Sequence, residues 1–201
     1  MIFYEPHKRD RALLPHDPFK ALVAPRPIGW VSSMSAAGAV NLAPYSYFNA
    51  FSSAPPILGF SSEGFKDSAA FIAETREFCW NMPTYALRDA MNATSAPLPR
   101  GVNEFEHAGL TMAASRFIKP PRVAESPCAF ECRLLEIKQL NDLDGKLVDR
   151  FLILGQVIGV HIDEAYIRGG MVDTTAMAPI ARCGYADYAV VDRVFSIVRP
   201  G

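Results

Sequence analysis

The sequence predicts a mainly β fold with flanking helices, and three observations carry that expectation. Short β-prone runs recur between turn signals through the first half of the chain. Two longer β-rich runs, 129–137 and 148–162, flank Asn141-Asp142-Leu143-Asp144-Gly145, a composition that marks a hairpin. One helix start stands out, at Lys66-Asp67-Ser68. The 201 residues suit a single domain over 1–201, and half of them are apolar, enough for a sizeable core.

Residues 1–23 read as an N-terminal arm, pinned by Leu13 and Leu14, with a helical turn over 19–22 after Asp17-Pro18. Pro27 fixes φ ahead of a strand at 28–34. Ser35-Ala36-Ala37-Gly38 is a tight turn in which Gly38 takes positive φ, and residues 39–42 return as the second strand of a hairpin. Residues 41–53 then read as a polar, aromatic loop almost free of charge. Pro55-Pro56 forces extended geometry into an apolar run, 57–60. A helix follows over 67–75, with Asp67 or Ser68 as its N-cap. Residues 77–82 alternate as a strand. Pro83-Thr84 opens a helix over 85–93 whose Leu87, Ala90 and Met91 face the core. A short helix at 103–108 stops at Gly109, with His107 on the surface. Prolines keep 117–123 extended. Gly155 and Gly159 interrupt the last long strand and suit a bulge or a barrel bend.

Charge excludes some functions. With 20 basic and 21 acidic side chains no polyelectrolyte partner is implied, and no basic patch points to nucleic acid. The cluster from His7 to Arg11 is a solvated face. Four cysteines without a CxxC pair read as reduced, buried thiols, not as a metal site. No apolar run reaches the ~20 residues of a membrane span, and the N-terminus lacks an apolar signal core. The expectation is a cytoplasmic protein. GxGxxG, P-loop and GxSxG motifs are missing, so a Rossmann cleft is not expected.

The surface from Ala24 to Ser68 has the chemistry to hold a flat, polar-edged, phosphorylated molecule. Along the first strand, Trp30 and Ser32 share one face and Val31 and Ser33 the other. Each serine hydroxyl either bonds nearby backbone or meets a ligand's polar edge. Backbone groups of Asn41, Ala43, Tyr45 and Ser46 can read a heteroaromatic edge, with Pro44 stiffening the segment. Of the adjacent aromatics Tyr47 and Phe48, one packs inward while the other covers ligand or interface. Asn49 stabilises the loop or touches the ligand. A helix N-terminus presents unpaired N–H groups and partial positive charge. Capping alone explains Asp67 and Ser68 but not Lys66, which sits at the unfavourable end of the dipole. Glu131, near a strand centre, is a barrel-rim carboxylate or an ion-pair partner, and His161 is a satisfied structural histidine or a site residue.

Several segments in order carry a family resemblance: RPIGWVSS (26–33), NLAPYSYFN (41–49), Pro55-Pro56, KDS (66–68), EFCWN (77–81), ESPCAFECRL (125–134), LGQVIGVHID (154–163) and ARCGYADY (181–188). Together they span about 170 of the 201 residues. The chain resembles the flavin reductase-like family of FMN-binding split β-barrel proteins, which includes flavoredoxin; Ser68 stands where the family has threonine as often. The resemblance implies a homodimeric split β-barrel holding FMN, with NADH or NADPH as a transient hydride donor docked over the flavin. It implies ring and ribityl contacts from Trp30, Ser32, Ser33, Asn41, Leu42, Ala43, Pro44, Tyr45, Ser46 and Asn49. Lys66 and Ser68 would hold the phosphate; Ser61 and Asp67 belong to the same cofactor-binding set, Asp67 as a helix cap or a partner of Lys66 and not as a phosphate ligand. His161 would receive nicotinamide, and Arg182 would balance charge or form an ordinary ion pair. The implied activity is NAD(P)H:flavin oxidoreduction. The rivals are a flavoredoxin-like electron carrier reduced by a protein partner and a non-catalytic binding module.

Overall fold

The computed structural model describes residues 1–99 and 101–201. The turn at 35–38, with Gly38 at φ 89° and its N–H on the Ser35 carbonyl (3.0 Å), folds β1 (Gly29–Met34) against β2 (Val40–Tyr45). Two residues later the chain re-enters the sheet as β3 (Phe48–Ser53) and β4 (Pro56–Glu63). The expected loop over 41–53 is therefore two strands and a turn. Its sequence hid them because both strands lie at sheet edges: β3 is largely exposed and shows no apolar alternation, and Pro44 costs no ladder bond at an edge.

Helix α1 (Asp67–Thr75) then leads into β5 (Glu77–Asn81), and much later come β6 (Cys128–Asn141) and β7 (Leu147–Ile162). The seven strands are antiparallel in the order β2-β1-β5-β6-β7-β4-β3. β2 and β3 sit at opposite ends of that order, yet only Ser46 and Tyr47 separate them. The sheet must curl until its edges meet, and the Ser61 N–H reaches the Tyr47 carbonyl (2.8 Å) at the closure. β2 and β3 form no ladder with each other, so the barrel is split. The β6–β7 ladder shifts register at Leu154/Gly155 and Val157/Gly159. A Cβ on Gly155 would come within 2.4 Å of the Phe78 ring, which explains why that bend carries glycine.

Strand alternation divides the core in two. Val31, Phe60, Phe78, Trp80, Cys132 and Ile153 fill the barrel, closed at one end by Ala69 and Ile72 of α1. On the outer face of β1 and β2, Ile28, Trp30 and Leu42 pack with Met91, Phe105, Val123 and Ile180. Met91 belongs to α2 (Arg88–Ala93), which starts three residues later than expected. Thr84 bridges to Pro179 and the Tyr85 N–H bonds the Ala178 carbonyl (2.9 Å), so this stretch is held against the C-terminal segment instead of coiling. Asn103 caps Glu104–His107 by accepting from the Phe105 N–H (3.0 Å), and Gly109 ends that turn at φ 66°. A small sheet of Arg26–Pro27, Ile180–Arg182 and Tyr188–Val190 lies beside the barrel. Arg26 ties the end of the arm to it, donating to the Lys20, Val23 and Cys183 carbonyls.

Cys79, Cys128 and Cys132 are buried free thiols, and burial pushes all three up, Cys128 to about 11. They are inert packing groups at neutral pH. Among the described residues no helix is long and apolar enough to cross a membrane.

Candidate functional site

Period two in β1, β2 and β4 sorts the expected site residues by face. Val31 pairs with Ala43 and Ser33 with Asn41 across the hairpin, and Tyr45 continues this face into the barrel. β4 directs Leu58, Phe60 and Ser62 the same way. These residues meet the N-terminus of α1. Asn41 Nδ2 donates to Ser68 Oγ (2.7 Å), and the Tyr45 ring packs on Phe60 with centroids 4.5 Å apart. Burial raises the Tyr45 phenol above its ordinary 10.0, while hydrogen bonds with Ser68 and Ser62 pull the other way. The phenol is therefore neutral at physiological pH. Ser33 is buried opposite Asn41, and its hydroxyl has no hydrogen-bond partner among the described residues.

The N-cap residue of the helix gives it no side-chain cap. The first helical bond runs from the Ala70 N–H to the Lys66 carbonyl (2.9 Å), which leaves the N–H groups ahead of it outside the helical ladder. Neither Asp67 nor Ser68 is the N-cap. Lys66 holds that position with extended backbone (φ −83°, ψ −176°), and its ammonium, which has no acceptor, gives no side-chain cap; Ser68 Oγ accepts from Asn41. Lys66 is exposed and forms no ion pair with a described residue, so its charge reinforces the positive helix end. Asp67 lies in the first turn. Gly64 precedes it at φ 76°, and Ser62 Oγ donates to the Gly64 carbonyl (2.9 Å), fixing the approach to the helix.

Several expected contacts fall elsewhere. Trp30 is fully buried on the outer face and gives its indole N–H to Thr94 Oγ1 (3.0 Å). Ser32, equally buried, donates to the Pro121 carbonyl. Leu42 packs beside Trp30, and its N–H goes to Glu104 Oε2 (3.0 Å). These three side chains are core, turned away from the helix tip by strand alternation. Pro44 pairs with Trp30 in the register and shares that outer face. Ser46 helps form the closing turn, and Asn49 is exposed on β3 with Oδ1 accepting from the Ala50 N–H (2.9 Å). Ser61 points away from the barrel; Ser62 is the inward residue. That could have been read by extending the alternation from Leu58 and Phe60.

His161 and Arg182 are also removed from this cluster. β7 pairs Arg150 with Glu63 near the helix tip, whereas His161 pairs with Ala129 at the far end of the strand. His161 Nε2 lies 2.6 Å from Oε1 of Glu131, which is completely buried and also accepts from the Arg116 (2.7 Å) and Phe117 (2.6 Å) N–H groups. Burial would raise the Glu131 carboxyl, but those N–H bonds and His161 hold it below its usual 4.5. Glu131 is thus a buried carboxylate hydrogen-bonded to His161 and to two backbone N–H groups, not a rim carboxylate. Arg182 stacks on Tyr188 at 4.4 Å and donates to the Tyr185 and Asp187 carbonyls, which holds it on the tail segment.

The profile of the Flavin reductase like domain matches residues 22–175, and the chain belongs to that family. A protein of Aquifex aeolicus is 35% identical over 169 residues, covering 81% of this chain and 83% of its own. Nitrilotriacetate monooxygenase component B from Bacillus cereus is 28% identical, with a TM-score of 0.89 over 98% of both chains. A split barrel domain protein from Shewanella frigidimarina, 21% identical, shares the fold with a TM-score of 0.81 over 90% of both chains.

Proposed function

We propose that this chain is an FMN-binding oxidoreductase in which the inner face of the β1–β2 hairpin holds the flavin and the tip of α1 holds its phosphate. The observation that carries this reading is the buried Ser33 hydroxyl, without a hydrogen-bond partner among the described residues and paired across the hairpin with Asn41, whose amide reaches Ser68 in the first turn of a helix that begins at Lys66 without a side-chain cap. Such a group fits a ligand with a polar edge at one end and a single phosphate at the other. Lys66 supplies charge to the phosphate, Ser68 a hydroxyl, and the first N–H groups of α1 the oriented donors. Ser33 and the Asn41–Tyr45 backbone serve the ring edge and ribityl chain, while neutral Tyr45 donates a hydrogen bond without adding charge. When bound, FMN supplies hydride chemistry that requires proximity of two rings more than an acid or base.

The proposed reaction is reduction by NADH or NADPH, with electrons passed to free flavin or a protein acceptor. The likeness to a monooxygenase component favours delivery to a separate protein. A homodimer is part of the reading: the edge strand β3 exposes Phe51 beside Tyr47, and the C-terminal tail exposes Phe195, Ile197 and Val198. A second copy would cover such surface. Reduced thiols fit a cytoplasmic location. Stopped-flow mixing of the FMN-loaded protein with NADH or NADPH under argon tests the activity. Flavin bleaching within seconds is expected; no bleaching with either nucleotide would instead support a carrier reduced by a protein.

A further inference from the structure

A polar cavity of about 540 Å³ lies against the far half of β7, lined among others by Arg116, Arg122, Glu131, His161 and Tyr166. It shares no residue with the proposed flavin site. Its three carboxylates are already engaged. Glu125 accepts from the Thr111 N–H (2.9 and 3.3 Å), Asp163 from the Ala165 N–H (2.9 Å), and Glu131 from Arg116, Phe117 and His161. The two guanidinium groups, by contrast, form no ion pair with a described residue, and the buried Nε of Arg122 has no hydrogen-bond partner. A desolvated guanidinium nitrogen without an acceptor is costly, and a planar oxyanion is its natural complement.

His161 adds a third group. Glu131 is held in its ionised form, so His161 Nε2 carries the proton between them. The other ring nitrogen, Nδ1, makes no hydrogen bond to a described residue, on a side chain that lines the cavity. We propose that this cavity binds a small organic anion bearing a carboxylate or phosphate group, gripped by Arg122 and Arg116, with the His161 ring lining the same cavity. The charged and titratable groups facing His161 there are Arg116, Arg122, Glu125, Glu131, Asp163 and Tyr166. Among the described residues the two arginines are the charged groups there without a partner, so an anion would bind at their end of the cavity, in a lining that also carries three carboxylates.

Calorimetric titration of the full-length chain with sodium malonate, at pH 6 and pH 8, tests this. Saturable binding is expected at both. Arg122→Gln should weaken it by about tenfold or more, as for loss of a charge-assisted hydrogen bond. Arg122→Lys, which keeps the charge and loses the planar fork, should recover part of the loss and guards against a folding artefact. Inorganic phosphate in place of malonate separates a carboxylate from a phosphoryl preference, and saturation by either supports the site. Failure of both anions to saturate at pH 6, or wild-type malonate affinity in Arg122→Gln, would overturn it. So would conversion of a dimer to a monomer by Arg122→Gln without anion binding, since the guanidinium would then answer a second copy.

Discussion

On the outer face of β1, Trp30 and Ser32 each find a partner within the protein, Thr94 for the indole and the Pro121 carbonyl for the hydroxyl. On the inner face Ser33 is buried as completely and finds none among the described residues, while Asn41 opposite it is bonded to Ser68. Consecutive serines in one strand thus have opposite status. Burial by itself does not mark a ligand contact; a buried donor left unpaired opposite the residue that reaches a helix end without a side-chain cap does. Both faces carry core, Trp30 and Leu42 outside and Val31 and Phe60 inside, and the proposed flavin contacts lie on the inner one.

Four substitutions bear on this contrast. Trp30→Ala should give the largest effect, a loss of about 3–5 kcal/mol in urea unfolding, the usual range for truncating a buried aromatic. Near-normal stability together with abolished flavin binding would reverse the two faces. Glu131→Gln, another change outside the proposed flavin site, should cost about 3 kcal/mol at neutral pH by breaking a buried, hydrogen-bonded charge. The native carboxyl lies below its ordinary 4.5. Its contribution is therefore complete above that value and is lost as pH falls toward the folded-state value. The stability gap between the two proteins should narrow below about pH 4.5; a gap that widens in acid contradicts the assignment.

Lys66→Ala should leave the melting temperature unchanged and weaken FMN by about tenfold to a hundredfold, measured by flavin fluorescence quenching. An unaltered affinity removes the phosphate from the helix tip. Ser33→Ala should have the smallest effect. Without flavin it should be neutral or stabilising by up to about 1 kcal/mol, because an unsatisfied hydroxyl is removed. With flavin it should be weaker than wild type. A destabilised flavin-free variant would mean that the hydroxyl has an internal partner.

Much of this fold could be read from the sequence because local chemistry and tertiary demand agree. The Gly38 turn, the bounds of α1, the Asn141–Gly145 hairpin and the glycine bends in β7 all follow from residue-level constraints. β3 could not, since an exposed edge strand needs no apolar alternation, and the start of α2 is set by contacts with the distant segment at 178–179. Within the candidate site, motif proximity grouped Trp30, Ser32 and Leu42 with Ser33 and Asn41, while alternation separates them. The place of His161 depended on which strand end meets the helix tip, a matter of register that no local pattern carries. Arg122 was read only as part of an extended linker; its unpaired nitrogen exists only once 111–127 folds over the sheet.

The central claim is that a positive helix tip grips the phosphate while the hairpin grips the ring. Titrating wild type and Lys66→Ala with FMN and with riboflavin, which lacks the phosphate, tests it in one cycle. The wild type should prefer FMN by about a hundredfold or more, as for several charge-assisted bonds to one phosphate, and Lys66→Ala should shrink that preference while leaving riboflavin affinity unchanged. Equal affinity of the wild type for the two flavins would contradict the account.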